Sequence, residues 1–410
     1  MTLSSSSLRA TSMPRASSTS SAASGARFRA GTDPASGTPG GRPLFPKLTF
    51  APVSDFAKTL QTELKQLMRE SGDHRFATAR QWLHTGLAAG ISAACYSALL
   101  AGVGAGSLVL SGLLTAGAGF FAFMLIVLMG HDAAHASVSR HRWVNNTALF
   151  WIFAVMGISG ALWRDRHIRL HHAYPNLPGT GIDADSSGAI RLAPDKPRRW
   201  FHAFQGTYGV LLYAIGMISL VWFEDFRNFV IMRQERPRNF AGAWQMALFI
   251  AAKLVHVVLF IGLPALAGGF GALELAGGYL LATAVISLSF ATLVIGTHVS
   301  DRAEFPLPDA QGRVPHDWAT HQVVTSVDWA PLSRVWAMVT GGANAHTAHH
   351  LFPGYSHRHS VALSRIVIDA ARRHGLNYKA TSFAGLVGSH LQHMRNLGRR
   401  DAERGEQQAA

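Results

Sequence analysis

Apolar residues in this chain gather into a few long runs separated by polar, basic stretches. From Gln81 to Gly130 there is no Asp, Glu, Lys or Arg, which leaves room for two helical spans of about 20 residues each. Small residues between Ala101 and Gly106 mark a turn, so spans are expected at 82–103 and 107–129. A second hairpin is expected between Ala243 and Thr297, with spans at 243–268 and 276–297 and Glu274 near its turn. Pro264 is placed to kink the third span. Lys253 falls inside that span and is read as snorkelling or as marking a shifted boundary, with lining of a substrate cavity as the alternative.

Two more apolar segments, Trp143–Trp163 and Ala203–Trp222, would also pass a hydropathy test. Ahead of the first hairpin, Phe56, Leu60, Leu64, Leu67 and Met68 recur at helical spacing with Lys and Glu between them. That pattern predicts an amphipathic helix lying on the membrane or on the catalytic domain.

Composition separates the ends from the middle. Residues 1–50 are rich in Ser, Ala, Gly, Thr, Pro and Arg, with Asp33 the first acid. Such a segment buries no core and is expected to be a disordered tail, read as a basic extension in preference to an organelle transit peptide. A domain over 51–395 and a flexible tail over 396–410 follow. The net charge of +14 raises nucleic acid as a partner. The basic residues flank apolar spans, however, so contact of a cytoplasmic face with the membrane explains them and nucleic acid is not expected. Cys95 is the single cysteine, which excludes a disulfide framework and any cysteine-based metal site.

The chemistry lies in histidine. Eight of the 21 histidines sit in three short clusters. His131 and His135 are four apart; His167, His171 and His172 follow; His346, His349 and His350 close the set. On a helix, spacings of three and four place side chains on one face, and neutral imidazole suits iron, zinc and copper. Eight ligands exceed what one ion takes, so two metals are the natural reading. One centre built from all three clusters also requires an even number of membrane crossings between any two of them. Trp143–Trp163 and Ala203–Trp222 are therefore expected to be re-entrant or packed in the interface, and the arginine-flanked loop between them to stay cytoplasmic.

These stretches resemble the membrane fatty acid desaturases. Gly130-His131-Asp132-Ala-Ala-His135 resembles that family's first histidine box. His167-Ile-Arg-Leu-His171-His172-Ala-Tyr174-Pro-Asn176, followed by Gly179, Asp183 and Asp185, resembles the second. His321-Gln322, Thr325 and Asp328 look like the stretch before the third box, and Gly341-Gly342-Ala-Asn344-Ala-His346-Thr-Ala-His349-His350-Leu351-Phe352-Pro353 is similar to the third box itself. The similarity covers roughly Phe56 to Tyr378.

The resemblance implies an all-α integral membrane protein: four transmembrane helices as two hairpins, interfacial helices and a cytosolic histidine-rich catalytic cap. It implies a diiron centre with His131, His135, His167, His171, His172, His346, His349 and His350 as ligands. His298, at the end of the fourth span, is placed for a ninth ligand or for a supporting position behind the ligands. Asp132, Asn176, Asp183 and Asp185 are placed to orient the ligands, although Asp132 equally suits a helix cap. Asn344 is placed to hold a metal-bound water or to shape the turn. His357 and His359 are read as surface residues.

Family chemistry adds dioxygen as co-substrate, because unactivated methylene C–H bonds give a side-chain acid or base nothing to work on. Two electrons come from outside. There is no His-Pro-Gly-Gly haem signature and no flavin or iron–sulfur motif, so a separate ferredoxin or cytochrome is implied as donor. The substrate is a fatty acyl chain carried by a lipid, coenzyme A or a carrier protein. Front-end members of the family usually have Gln where this chain has His346, so front-end regiochemistry is not implied.

Rival readings are an acetylenase, hydroxylase or ketolase using a similar diiron site, and more distantly a metal transporter. A transporter would hold its ligands near the bilayer midplane, whereas these lie at span ends. The expected location is a bacterial inner membrane, with an organelle membrane as the alternative.

Overall fold

The computed structural model describes residues 47–180, 188–267 and 269–399. Asp183, Asp185 and nearly all of the expected N-terminal tail lie outside these. Within the described residues, the stretch ahead of α1 lies on the rest of the fold: Thr49 pairs with Arg313 and Phe50 stacks on Tyr174 at 5.7 Å. At the other end a helix continues to Arg399, past the expected limit of 395, because the Leu397 and Gly398 carbonyls accept hydrogen bonds from Arg191 and Arg198.

The protein is mostly helical. Helix α1 (Asp55–Ser71) starts at Ser54, whose hydroxyl accepts from the Ala57 N–H. Its apolar stripe of Phe56, Ala57 and Leu60 packs on Val323, Leu351, Leu363 and Val367. It therefore covers the histidine-bearing cap. Helices α2 (Ala79–Leu100) and α3 (Leu108–Ala134) form the first hairpin. Lipid-facing residues such as Leu83, Leu108, Val109 and Leu113 are exposed, as expected for helices whose solvent is hydrocarbon.

Helix α4 (Arg142–Val155) and helix α5 (Gly160–His171) belong to one apolar segment bent by 106°. The break sits at Gly157, where φ is +74° and a Cβ would lie 2.7 Å from the His256 ring. Only glycine fits there without strain. The bend turns the segment back and brings His167 and His171 to the end of α3 that carries His131.

Helix α6 (Trp200–Glu235) is long, and helices α7 (Ala243–Ala267) and α8 (Ala272–Thr297) form the second hairpin. Around Pro264 the backbone widens into a π-helical turn over Val258–Gly262, which relieves the clash a proline makes with the preceding turn. Among the described residues, five helices are long and apolar enough to cross a membrane, or six if the bent segment counts as one, so the protein is multi-pass. That exceeds the expected four by α6, whose start meets the C-terminal helix and whose end meets α5, while its middle meets α8. Arg198, just before α6, bonds the Gly398 carbonyl, and Arg236, just after it, pairs with Asp165. Midway, the Trp222 indole donates to the Tyr279 hydroxyl at 2.8 Å.

Lys253 does not snorkel. It is 8% exposed, and its ammonium bonds the Gly157 and Val221 carbonyls and Asp225. A lysine so deep in an apolar helix is retained because every donor finds an acceptor.

The cap is built from helix α9 (Trp318–Val324), helix α10 (His346–Leu351), helix α11 (Ser360–Arg373) and helix α12 (Phe383–Arg399). A short parallel pair of strands, Asp328–Trp329 with Ala380–Thr381, ties its two halves together.

Candidate metal centre

Each histidine cluster sits where one element ends. His131 and His135 lie on the last turn of α3, His167 and His171 on the last turn of α5, and His346 to His350 on α10. His298 follows directly on α8. The backbone entering α10 is held by Gly341 and Gly342, at φ +57° and +77°. At Gly341 a Cβ would lie 1.9 Å from the Val127 carbonyl oxygen of α3. The glycine lets the third cluster approach the first.

The nine histidines converge into two groups. One holds His131, His135, His167, His172 and His349; the other holds His171, His298, His346 and His350. In the first, Nε2 of His167 lies 3.1, 3.0 and 3.1 Å from Nε2 of His131, His135 and His172. His349 Nε2 lies 3.0 Å from that of His172. In the second, Nε2 of His350 lies 3.0, 3.0 and 3.1 Å from Nε2 of His171, His298 and His346.

A ring nitrogen either donates one hydrogen bond or accepts with one in-plane lone pair. Three imidazole nitrogens at contact distance from a fourth cannot all be hydrogen-bonded to it. A shared electrophile resolves the crowding. Metal–nitrogen bonds of about 2.1 Å at right angles would set neighbouring nitrogens about 3.0 Å apart. The donor set thus fits a metal ion in each group.

The surroundings fix which nitrogen faces inward. Nδ1 of His298 donates to the Thr325 carbonyl at 2.8 Å, and Nδ1 of His350 donates to Gln322 Oε1 at 2.8 Å. Each bond leaves the Nε2 lone pair free for the centre. Burial, and then the neighbouring imidazoles, hold His172, His346, His349 and His350 well below the usual histidine range. These rings are neutral at neutral pH, the state that ligates metal. Trp163 stacks on His167 at 4.2 Å and 16° and fixes that ring's plane.

Asn176, with φ +55°, donates to the carbonyls of His298 and Glu304 at 2.9 and 3.0 Å and braces the backbone of His298. Asn344 donates to the Ala330 carbonyl at 2.9 Å, and its Oδ1 is buried without a partner. Asp328 takes the Thr347 N–H and hydroxyl, at 2.8 and 2.9 Å, at the start of α10. Burial pushes its pKa up to about 6.

Asp132 bonds no histidine of either group. Its carboxylate takes the backbone N–H and Nδ1 of His357, at 3.1 and 3.0 Å. His357 and His359 are not surface residues: both are buried, and His359 bonds the His74 carbonyl at 2.9 Å. The chain after α10 folds back under the end of α3, so a polar stretch beside a histidine box becomes interior. His321 stays outside both groups and bonds the Pro175 carbonyl at 2.9 Å.

A cavity of about 430 Å³ adjoins both groups, touching His131, His167 and His349 of one and His171, His298 and His346 of the other. Ile286, Phe290 and Val294 continue the face of His298 down α8 at every fourth position. Tyr213, Met217, Leu220, Glu224 and Asn228 line the opposite side from α6. From His298 to Ile286 the helix descends about 18 Å. Further along, α3 meets α8 at Gly119 and Ala282, the backbones being so near that a Cβ on Gly119 would lie 3.0 Å from the Ala282 oxygen.

The family model for fatty acid desaturases matches residues 105–382. The chain belongs to the fatty acid desaturase family. This desaturase-family chain is similar to an acyl-lipid (8-3)-desaturase of Physcomitrium patens, 28% identical over 68% of the chain and 59% of that protein. It is also similar to two proteins named sn-1 linoleoyl-lipid 6-desaturase. The one from Arthrospira platensis is 30% identical over 64% of the chain and 71% of its own length. The one from Synechocystis sp. is 29% identical over 66% and 76%. The matched region contains all nine histidines of the two groups.

Proposed function

We propose that this protein is a membrane fatty acyl desaturase that inserts a carbon–carbon double bond using two iron ions, dioxygen and an external electron donor. The observation that carries this reading is the single cavity that meets both imidazole groups at one end and runs down an apolar stripe of α8. The chemistry supplied by iron bound there is redox activation of dioxygen, which an unactivated C–H bond requires.

The chain's own residues do the rest. Thr325 and Gln322 hold the His298 and His350 rings with Nε2 inward, and Asp328 anchors the first turn of α10. Ile286, Phe290, Val294 and Phe123 offer an acyl chain a dry path in which its methylenes are presented to the histidine face. The relatives are named for acyl-lipid and linoleoyl-lipid substrates, which supports a lipid-linked chain over a coenzyme A or carrier-protein one.

Contacts support a four-span topology. We read α2, α3, α7 and α8 as the four crossings and the bent α4–α5 segment as re-entrant. Helix α6 lies along the interface, since its start bonds α12 of the cap and its end bonds Asp165, two residues before His167, while its middle reaches Tyr279. A full crossing by α6 would add an odd step between His172 and His298, which share one centre. Arg140, Arg142, Arg198, Arg233 and Arg238 then lie on the histidine side, while the turns at 101–106 and 268–271 carry no charged residue. By the positive-inside rule that side is cytoplasmic, in a bacterial inner membrane by preference. The basic face suits an acidic ferredoxin or cytochrome as donor.

Expression with such a donor, followed by lipid analysis that localises double bonds, tests the reading. An unsaturated chain absent from a His350→Ala control supports it. A product one oxygen heavier would redirect it to hydroxylation.

A further inference from the structure

The cavity wall holds one buried polar stretch below the histidines. Asp225 and Asn228 lie one turn apart on α6, both line the cavity, and they are 3% and 7% exposed. One oxygen of Asp225 is fully engaged: Oδ2 accepts from Lys253 Nζ at 2.8 Å and from the Ser159 N–H at 3.0 Å. Lys253 spends its other two donors on the Gly157 and Val221 carbonyls. That leaves Asp225 Oδ1 and the whole side-chain amide of Asn228 without a hydrogen-bond partner among the described residues, beside Phe153, Ile158 and Leu162. Buried polar groups are normally paired. Two left open on one helix face, aimed into a cavity, mark a place for a ligand group.

The chemistry of that group follows from the donors and acceptors. A carboxylate oxygen needs a proton donor; a primary amide gives and takes. Lys253 offsets Asp225, while Asp132, Glu224 and Arg166 also line the cavity, so the lining carries no net positive charge to attract an anion. We propose that Asp225 and Asn228 form a hydroxyl-binding subsite, in which an uncharged hydroxyl of the acyl substrate donates to Asp225 Oδ1 and accepts from Asn228 Nδ2. The inference rests on the acyl-chain reading of the cavity. A simple ester has no proton to offer the carboxylate, and a phosphate would meet the Asp225 and Glu224 carboxylates. Ser159, which touches Asp225, caps α5 eight residues before His167, about 12 Å along that helix. The subsite therefore fixes the substrate at a set distance from the centre. The hydroxyl belongs either to a glycerol or sugar headgroup or to the acyl chain itself.

The test is the affinity of the full-length, iron-reconstituted protein in detergent for three probes of equal chain length. They are a fatty acid methyl ester, the monoacylglycerol, and the methyl ester of a mid-chain hydroxy acid. Wild type should bind one hydroxyl-bearing probe about tenfold more tightly than the plain ester, as expected for a hydrogen bond to a charged group. Preference for the monoacylglycerol assigns the hydroxyl to the headgroup; preference for the hydroxy ester assigns it to the chain. Asn228→Ala should bring the ratio close to one by weakening the hydroxyl-bearing probe. Asn228→Leu, which fills the space, is the second variant if the first does not fold. No hydroxyl preference in wild type, or a preference intact in the Asn228 variant, overturns the subsite. Desaturation of lipids without any hydroxyl preference would sink this inference alone. Hydroxyl-selective binding with no unsaturated product would sink the desaturase reading instead.

Discussion

Nδ1 of His357 lies 3.0 Å from Oδ2 of Asp132, and both side chains are buried. The bond joins the residue after His131 to the segment that follows α10, so it ties the first histidine cluster to the third. His357→Ala should loosen that tie, leaving the Asp132 carboxylate with the backbone N–H of His357. A buried charged hydrogen bond is worth about 1.5–3 kcal/mol. The expected result is a lower melting temperature and weaker iron retention, with His357→Asn recovering part of both. Melting and iron content equal to wild type would show that the tie does not matter.

The groups differ in size, which separates two variants. His298→Ala leaves three imidazoles in a group of four; His135→Ala leaves four in a group of five. The first should lose about one iron per protein and all turnover, because a ligand removed from the smaller set opens the site. The second should keep more iron and some turnover. Metal analysis of both purified variants checks this, and full iron in His298→Ala would remove it from the ligand set.

Gly341→Ala should be far more damaging than Gly342→Ala. Both positions need positive φ, but a Cβ at Gly341 meets the Val127 backbone at 1.9 Å, whereas at Gly342 it meets the movable Ser360 hydroxyl. The yield of monodisperse protein should fall sharply only for the first.

Asp328 gives a pH signature. Burial raises its folded pKa to about 6, above the ordinary carboxylate value of about 3.8. A raised carboxyl takes up its proton sooner in the folded state, so its contribution to stability is full below about 3.8 and is lost as pH rises through about 6. Metal-free wild type should therefore gain stability relative to Asp328→Asn as pH is lowered from 7 to 4. A difference in melting temperature that is flat across that window would contradict the assignment.

Much of this was legible in the sequence. Runs with almost no charged residue placed α2, α3, α7 and α8, since hydrocarbon tolerates so few charges that spans announce themselves. Spacings of three and four placed the box histidines, and parity argued that α4–α5 and α6 do not simply cross. Other features depend on chain reversals that leave no local trace. His357 and His359 read as surface residues because polar neighbours surround them in sequence; in space, α3 and the chain at His74 cover them. Lys253 found its acceptors through the turn at Gly157 and the helix at Val221, both far away in the chain. The apolar length of α6 suggests a span, while the ties of its two ends to α12 and α5 are invisible to hydropathy.

The most direct measurement is a single turnover of purified, iron-reconstituted protein, chemically reduced, given an acyl lipid and exposed to isotopically labelled dioxygen. If the protein is a desaturase, wild type forms a lipid two hydrogens lighter, with no label incorporated, and His350→Ala does not. A labelled, oxygenated product, or unsaturation that persists in His350→Ala, would contradict that reading.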